Sequence, residues 1–357
     1  MLGDVLPQFL KNLFNQTKDT LLTSSNLLFS NRLKIINIGF VQLFNNKNDK
    51  LNLVEEKPFK LEKDIQELVE KNSDSLLGLE FIGTEITVDK YRIDSLCFDN
   101  ETNSFVIVEY KKGSSYSVID QGYTYLQLLL NNKSDFLLIY SEYLEKVVKA
   151  NDIDWSQSRI IFVSQSFNNY QKDSVNFKDL PFELWEIARY SNNQISLNKH
   201  VSTSTESVKT ISAANSKNFK AVTDEIKSYD EEFHLNNFGK QLQENWINFR
   251  EQMMQIDGME MNIIKRYIAF TMGFRKSICY CNTQANGFRI DIIRGAIKSG
   301  KKNKDFLTLD DPKNMAKENS WTWKNGDTGH KYEIKFDKNT DVDYLVFLLN
   351  QQVKRYQ

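Results

Sequence analysis

Charged residues close an apolar segment in the first half of the chain, where Glu109 and Lys111 follow the apolar run 105–108. Side chains in a strand point to alternate faces, so Glu109 and Lys111 share one face. Apolar residues on both faces at the start of the segment predict a strand inside a sheet that is covered on both sides. Charges at the end of such a strand are costly unless they are paired or bind a metal ion. The pattern therefore indicates a functional site.

Asp94 offers this site a second carboxylate. It lies on the preceding predicted strand, where a hairpin pairing brings it beside Glu109. The two carboxylates could hold Mg²⁺ or Mn²⁺, hard ions that prefer oxygen ligands, and the backbone carbonyl of Tyr110 could add a further ligand. Such an ion polarises a phosphate and lowers the pKa of a bound water. Lys111 would orient that water or stabilise the developing charge, so the group suits phosphodiester hydrolysis.

Periodicity predicts the elements that position these residues. Apolar residues recur at helical spacing from Lys60 to Val69, before Asn72 breaks the pattern, and the strand-like runs that follow predict strands. The predicted order is α-β-β-β-α-β. After the first helix, the predicted ranges are strands at 79–88, 91–98 and 104–111, a helix at about 116–130, a strand at 136–140, and further strands at 159–163 and 182–187.

Together these residues resemble the PD-(D/E)XK nuclease superfamily. The matching motif is Ile93-Asp94, followed fifteen residues after Asp94 by Glu109-Tyr110-Lys111, with Ile93 in place of the proline of the family name. The resemblance implies an α/β fold with a restriction-endonuclease-like αβββαβ core and a mixed sheet. It also implies a Mg²⁺- or Mn²⁺-dependent deoxyribonuclease in which Asp94 and Glu109 are metal ligands.

Two predicted helices carry further residues that match motifs of this superfamily. Glu62, on the first helix, resembles the glutamate that completes the metal site in archaeal Holliday-junction resolvases. Gln121 and Tyr125 resemble the Q-x-x-x-Y motif of the recombination helicase-nuclease branch. Residues four apart share a helix face, so this pair could hydrogen-bond the rim of the site or a phosphate, and amphipathic packing is the alternative. The acids that compete with Glu62 for its role are Glu67, Glu70 and Glu85.

The predicted organisation has four parts. Residues 1–57 form an N-terminal extension, 58–200 the nuclease-like domain, 201–224 a linker rich in Ser, Thr and Asn, and 225–357 a C-terminal α+β domain of unknown role. This arrangement also looks like a group of uncharacterised two-domain bacterial proteins that has carried the label "predicted transport protein". The longest apolar clusters of this chain are far shorter than the ~20 residues of a membrane helix, so nothing in the sequence supports transport.

The linker should be the first part of the chain that a protease cuts, because a segment poor in large apolar residues buries little area. Limited proteolysis should give two stable fragments of roughly 200 and 135 residues, which is an ordinary size for domains. A chain that is cut at other loops while the linker stays intact would show that the two halves form one domain.

The C-terminal part repeats the letters of the motif, with Asp291 followed later by Glu333 and Lys335. Apolar residues alternate with the last two charges, so we expect a solvated face and not a second nuclease site. In the same part, Asn286-Gly287 predicts a hairpin turn, and Asp341 predicts the N-cap of a final helix.

Lysines and tryptophans lie close together in the C-terminal part. The segment 295–305 contains four lysines, and Trp321 and Trp323 follow it. The lysines could contact phosphates and the tryptophans could stack on bases. The favoured interpretations are a solvated loop for the lysines and core packing for the tryptophans.

The composition narrows the classes of protein to which the chain could belong. With 357 residues, a net charge of -1 and 40% hydrophobic residues, the chain is typical of globular proteins. Three cysteines and a start without the pattern of a signal peptide predict a cytoplasmic location. The sequence has no phosphate-binding G-x-x-x-x-G-K-[ST] motif, which leaves ATP hydrolysis without support.

The residues and the resemblance together thus predict a Mg²⁺-dependent deoxyribonuclease, with DNA as the substrate that the resemblance implies and without action at a membrane. Its C-terminal domain would bind substrate, a partner or a second copy of the chain in a homodimer. The alternative is a catalytically inactive nuclease-fold module that binds nucleic acid or protein. The presence of Asp94, Glu109 and Lys111 together favours catalysis, because a degenerate site is expected to lose one of them. In a third interpretation the E-x-K strand of a regulatory protein merely forms an ion pair.

Overall fold

The computed structural model describes most of the chain, in the ranges 42–112, 117–177, 179–202, 204, 206–207, 225–303, 306–323 and 326–357. Most of the predicted N-terminal extension and linker lie outside the described residues. The chain divides into two compact units, Met1–Val54 and Glu55–Gln357. In the first unit, β1 (Leu43–Lys47) and β2 (Lys50–Val54) pair as an antiparallel hairpin.

A six-stranded mixed sheet occupies the first half of the second unit. Its elements are α1 (Glu62–Lys71), α2 (Ser73–Leu77), β3 (Glu80–Val88), β4 (Tyr91–Asp99), β5 (Ser104–Lys111), α3 (Val118–Asn131), α4 (Lys133–Tyr143), β6 (Arg159–Ser164), α5 (Asn169–Ser174), β7 (Phe182–Arg189) and β8 (Ile195–Lys199), with short 3₁₀ helices at Ala150–Asp152 and Trp155–Gln157. The strands follow one another in the sheet from β3 to β8. Strand β6 runs parallel to β5 and β7, and the other neighbours are antiparallel.

The first helix, the three strands and the second helix predicted from the sequence agree with α1, β3, β4, β5 and α3 to within two residues at each end. The predicted α/β class and mixed sheet are confirmed. The strand predicted at 136–140 is wrong, because these residues lie inside α4. Phe136 and Tyr140 are buried whereas Leu138 is 60% exposed, which is the spacing of a helix packed by one face. The strand that completes the core is β6.

Strand β5 is buried along its whole length. Phe105 belongs to the apolar cluster that contains side chains of α3 and α4, and Val106 belongs to the cluster that contains side chains of α1 and α2. The sheet is therefore covered on both faces, as the sequence predicts. Because Glu109 and Lys111 continue the face of Phe105, the end of β5 presents them on the side of α3.

The C-terminal region builds an antiparallel sheet covered by helices. Its described elements are α6 (Glu231–Leu235), α7 (Lys240–Met254), β9 (Glu260–Ile264), β10 (Tyr267–Thr271), β11 (Ser277–Gln284), β12 (Gly287–Lys298), β13 (Lys301–Lys302), β14 (Lys317–Thr322), β15 (Thr328–Phe336) and α8 (Val342–Tyr356). The strand order is β14-β15-β12-β11-β10-β9, with β13 paired to β12. Trp246 of α7 and Leu345 of α8 lie in one apolar cluster with Ile290 of the sheet, so the predicted α+β class is confirmed.

Both local predictions for this region are confirmed. The turn at Asn286-Gly287 joins β11 to β12, and Gly287 adopts a φ of 140°. A Cβ at this glycine would lie 2.0 Å from the carbonyl oxygen of Phe336, so the close approach of β15 also requires glycine. Asp341 caps α8, since its Oδ1 accepts a hydrogen bond of 3.1 Å from the Tyr344 N–H.

Within the described residues, no helix is both long and apolar enough to cross a membrane.

Candidate active site

Glu109 and Lys111 form a buried ion pair at the end of β5. Lys111 Nζ lies 2.8 Å from Glu109 Oε1, and only 4% of Glu109 and 8% of Lys111 is exposed. The same carboxylate oxygen accepts a hydrogen bond of 2.6 Å from Gln121 Nε2 on α3. A buried charge without partners is strongly destabilising, so these two donors stabilise the ionised form of Glu109.

The other carboxylate oxygen of Glu109 has no such partner. Glu109 Oε2 is buried and accepts no hydrogen bond from any residue that the structure describes. Buried polar atoms nearly always have a partner in folded proteins, so an exception calls for an explanation. A carboxylate oxygen that is shielded from water and lacks a protein donor is suited to contact a cation.

Asp94 is held beside this pair by the backbone of β5. The ladder between β4 and β5 ends at the pair Ser95 and Val108. Beyond that pair, the Tyr110 N–H donates to Asp94 Oδ2 at 3.0 Å. The carboxylate of Asp94 is therefore fixed next to Glu109, at the point where the backbone pairing of the two strands stops.

The charges of Asp94 and Glu109 act on each other. Burial raises the pKa of Glu109 above its usual value, and the charge of Asp94 raises it further, while Lys111 and Gln121 lower it in part. Burial also raises the pKa of Asp94, against the opposing effects of the Tyr110 N–H and Lys111. Two carboxylates that repel each other away from water favour a proton or a cation beside them.

Helix α1 places Glu62 at the edge of this group. Glu62 Oε1 accepts a hydrogen bond of 2.7 Å from the Lys112 N–H, directly after β5, and the charge of Glu62 contributes to the raised pKa of Asp94. The structure thus brings Glu62 to the predicted site. Of the competing acids, Glu67 is exposed, Glu70 accepts from Ser95, and Glu85 pairs with Lys63 and Arg92.

A polar network that starts from α1 supports the site, and neither Gln66 nor Ser95 is among the predicted site residues. Gln66 is buried, and its Nε2 donates to the Asp94 carbonyl oxygen at 3.2 Å and to Glu70 Oε1 at 2.9 Å. Glu70 Oε1 also accepts a bond of 2.6 Å from Ser95 Oγ, which lies 3.1 Å from the Tyr110 hydroxyl. The network ties α1 to β4 and β5, so it fixes the backbone that carries both carboxylates.

Helix α3 brings Gln121 and Tyr125 to Glu109 from the side of the sheet that α1 does not cover. Gln121 Nε2 donates to the Tyr125 hydroxyl at 3.0 Å, and that hydroxyl donates to the Arg92 carbonyl oxygen at 3.3 Å. Burial and the charge of Glu109 raise the pKa of Tyr125, so the phenol keeps its proton at neutral pH. Gln121 and Tyr125 therefore link α3, β4 and Glu109.

Gly122 allows this close approach of α3. A Cβ at this position would lie 2.6 Å from the ring of Phe182, which is closer than packed carbon atoms tolerate. The absence of a side chain lets the helix lie near the sheet, and Gln121, the preceding residue, reaches Glu109.

The donors at this site suit a hard divalent cation that keeps several waters. No group of three or more His, Cys, Asp or Glu side chains arranged to hold a metal ion is found among the described residues. The acidic donors on β4 and β5 are Asp94 and the unpartnered Oε2 of Glu109. Mg²⁺ is commonly bound through one or two carboxylates and retains waters in its remaining positions, so these donors fit that ion.

A curated relative shows which family the chain belongs to. An uncharacterised protein of Haemophilus influenzae is 39% identical to this chain over 318 residues, which covers 88% of this chain and 100% of the relative. The chain belongs to the same family as this Haemophilus protein. No family model matches the chain.

Two solved structures show a weak similarity to part of the chain. The EndoMS complex with double-stranded DNA is 16% identical, with a TM-score of 0.22, over 36% of this chain and 47% of that chain. A repair endonuclease from Pyrococcus abyssi is 17% identical, with a TM-score of 0.23, over 36% of this chain and 48% of that chain. The chain thus spans about half the length of these structures, and a similarity at this level supports no conclusion about its activity.

The charged residues of the C-terminal region form a different kind of cluster. The sequence predicts a solvated face here. In the structure β12 and β15 are neighbours and place Asp291 directly opposite Glu333. Asp291 is buried, and both of its oxygens are paired, with Arg289 at 2.8 and 3.0 Å and with Lys331 at 2.8 Å. Two acids and two bases neutralise each other, so this cluster lacks the unpartnered oxygen that Glu109 has.

Asp94→Asn should stabilise the metal-free protein at neutral pH. A carboxyl whose pKa is higher in the folded than in the unfolded state binds more protons when folded, so the free energy of unfolding falls as pH rises through that interval. Asparagine removes this loss and can still accept from the Tyr110 N–H. Melting temperatures in EDTA should show a gain that is absent near pH 3, where both states are protonated, and that grows as pH rises to 7.

The matched control is Asp89→Asn in the exposed turn between β3 and β4. Asp89 has a φ of 52°, a conformation that asparagine also adopts readily. We expect no comparable gain there. An Asp94→Asn protein that is no more stable than wild type at any pH would contradict the raised pKa of Asp94 in the folded protein.

Proposed function

We propose that this protein is a metal-dependent nuclease that hydrolyses phosphodiester bonds of DNA at the end of β5. Asp94 and Glu109 would hold Mg²⁺ or Mn²⁺, with the backbone carbonyl of Tyr110 as a further ligand. When bound there, the ion would polarise a phosphate and lower the pKa of a water. The observation that carries the proposal is the buried Glu109 Oε2, which accepts no hydrogen bond from the described residues.

Lys111 supplies the positive charge that the reaction needs. Its ammonium group lies beside Glu109 in a position shielded from water, where an electrostatic interaction is stronger than in solution. It can orient a water or stabilise the charge that develops on the phosphate oxygens in the transition state. The role requires a cation that is fixed before the substrate arrives, and the ion pair with Glu109 fixes it.

Gln121 and Tyr125 keep Glu109 in position in this proposal. The Gln121 amide occupies Glu109 Oε1, which leaves Oε2 as the oxygen available to the ion. Tyr125 holds that amide in turn, and its hydroxyl is anchored on the backbone of β4. Both residues therefore act through Glu109 as positioning residues.

Arg92 offers a contact for the DNA backbone. Its side chain is 64% exposed and lies 3.4 Å from Glu85, a surface ion pair of the kind that contributes little to stability. Its charge lowers the pKa of Asp94, so it acts at the same end of β4 as the carboxylates. A phosphate that replaces Glu85 as its partner would be guided towards the site.

Cleavage of linear, circular and branched DNA by the purified protein tests the proposal. The wild-type protein should cleave at least one of these substrates in Mg²⁺ or Mn²⁺, and EDTA should stop the reaction. An RNA of the same sequence reports whether the substrate class extends beyond DNA. If none of the substrates is cleaved with either metal ion, the ion pair between Glu109 and Lys111 has a structural role, and the chain is a binding module with a nuclease-like site.

A further inference from the structure

Two exposed tryptophans lie on and just after the edge strand β14. All six of its residues are exposed, with Trp321 at 36%, and Trp323 just after the strand is 41% exposed. Their ring centroids lie 5.5 Å apart. The core packing predicted from the sequence is therefore wrong for both residues. Two neighbouring exposed rings form an apolar surface that is available to a ligand.

Small residues beneath Trp321 leave room for its indole to lie against the sheet. Trp321 pairs with Gly329 on β15, and Gly329 pairs with Ala296 on β12, so the three lie side by side on one face. A Cβ on Gly329 would lie 2.1 Å from the indole ring. The glycine therefore provides the space in which the tryptophan lies, with its ring supported by the sheet.

Lysines share this face. Lys298 lies two residues after Ala296 on β12 and pairs with Lys301 on β13, so both point to the side of the tryptophans. Both lysines are exposed. Asp327 joins the two hairpins, because it accepts the Ser299 N–H at 3.0 Å through its side chain and the Trp323 N–H at 2.9 Å through its carbonyl.

We propose that this tryptophan–lysine face, formed by Trp321, Trp323, Lys298 and Lys301, binds single-stranded DNA. Every base has a flat face that stacks on an aromatic ring, and lysines beside the rings neutralise the phosphates that connect the bases. A duplex hides its bases in the stack, so the fit is to a single strand. The proposal goes beyond the nuclease function, because binding at this face requires no metal ion and no cleavage.

Fluorescence anisotropy of the full-length protein with a labelled single-stranded oligothymidine, in EDTA, tests the proposal. Each of Trp321→Ala and Trp323→Ala should weaken binding about tenfold or more, and Trp321→Phe, which keeps a ring, should restore most of it. Lys298→Ala with Lys301→Ala should weaken binding and reduce its dependence on salt. The matched controls are Phe347→Ala, an exposed aromatic residue of α8, and Lys335→Ala, a lysine that is 79% exposed.

Three results would overturn the proposal. The first is equal binding of oligothymidine by wild type and by a folded Trp321→Ala and Trp323→Ala double variant. The second is preference for duplex over single strand. The third is loss of self-association in the double variant without loss of DNA binding, which would assign the edge strand to contact between copies of the chain. All of these binding measurements contain EDTA. The test of this face is therefore independent of whether the protein cleaves DNA.

Discussion

Alanine at Glu109 or at Asp94 should abolish the proposed metal-dependent cleavage of DNA, with a loss of more than about 100-fold. Each change removes one of the two carboxylates on β4 and β5 that are available to the ion, and even groups that only support a metal ligand are worth about 10- to 100-fold. Initial rates on a labelled DNA in saturating Mg²⁺ measure the effect. Melting curves recorded on the same samples show that the loss comes from chemistry and not from unfolding.

Two further variants make this result specific. Glu109→Gln keeps the size of the side chain and an acceptor for Gln121, so it separates the charge of Glu109 from its contacts. Glu333→Ala removes a carboxylate from the same E-x-K letters in the C-terminal region, where it pairs with Lys331 at 2.7 Å. Full activity is expected from Glu333→Ala. Loss of cleavage in Glu333→Ala with retention in Glu109→Ala would place the active site in the C-terminal region.

Lys111→Ala should lower cleavage by about 100-fold or more while the protein still binds Mn²⁺. Removal of one fixed group that stabilises transition-state charge typically costs 10²- to 10³-fold in rate, and an ammonium group is not a metal ligand. Calorimetric titration with Mn²⁺ and cleavage rates on one preparation separate the two quantities. The comparison distinguishes Lys111 from the carboxylates, whose replacement should impair both.

Lys335→Ala is the control for the change at Lys111. Lys335 follows Glu333 by two residues on β15, as Lys111 follows Glu109 on β5, but its side chain is 79% exposed. Wild-type cleavage and wild-type Mn²⁺ binding are expected from this control. A Lys111→Ala protein that cleaves at the wild-type rate would show that the buried ion pair serves folding alone.

The elements around the site could be predicted because their signals are local. The apolar run 105–108 and its charged end define β5, and the turn after Asp99 sets the hairpin that brings Asp94 to Glu109 and Lys111. Gln121 and Tyr125 lie four residues apart, so their common face follows from helix geometry. Gln66 and Glu70 on α1 are also four residues apart, so their common helix face follows from the same geometry. Their partners could not be identified without knowing which strands α1 covers.

The two wrong predictions have separate physical causes. The run 136–140 is short and apolar throughout, and periodicity cannot distinguish a strand from a helix over so few residues. The sequence predicts Trp321 in the core because large aromatic residues are usually buried. Whether a tryptophan on an edge strand is exposed depends on the residues beside it, which here are Gly329 and Ala296. Both are distant from Trp321 in sequence or have too small a side chain for the sequence to indicate that they make room for the indole.

Anomalous diffraction from crystals soaked in Mn²⁺ tests the central claim most directly. The proposal predicts one strong peak between the Asp94 carboxylate and Glu109 Oε2, and loss of that peak in crystals of the Glu109→Ala protein. It also predicts that the Lys111→Ala protein keeps the peak. A wild-type crystal with no density at this position at saturating Mn²⁺, or with Glu109 Oε2 bonded to a protein donor instead, would contradict the proposed metal site and with it the nuclease mechanism.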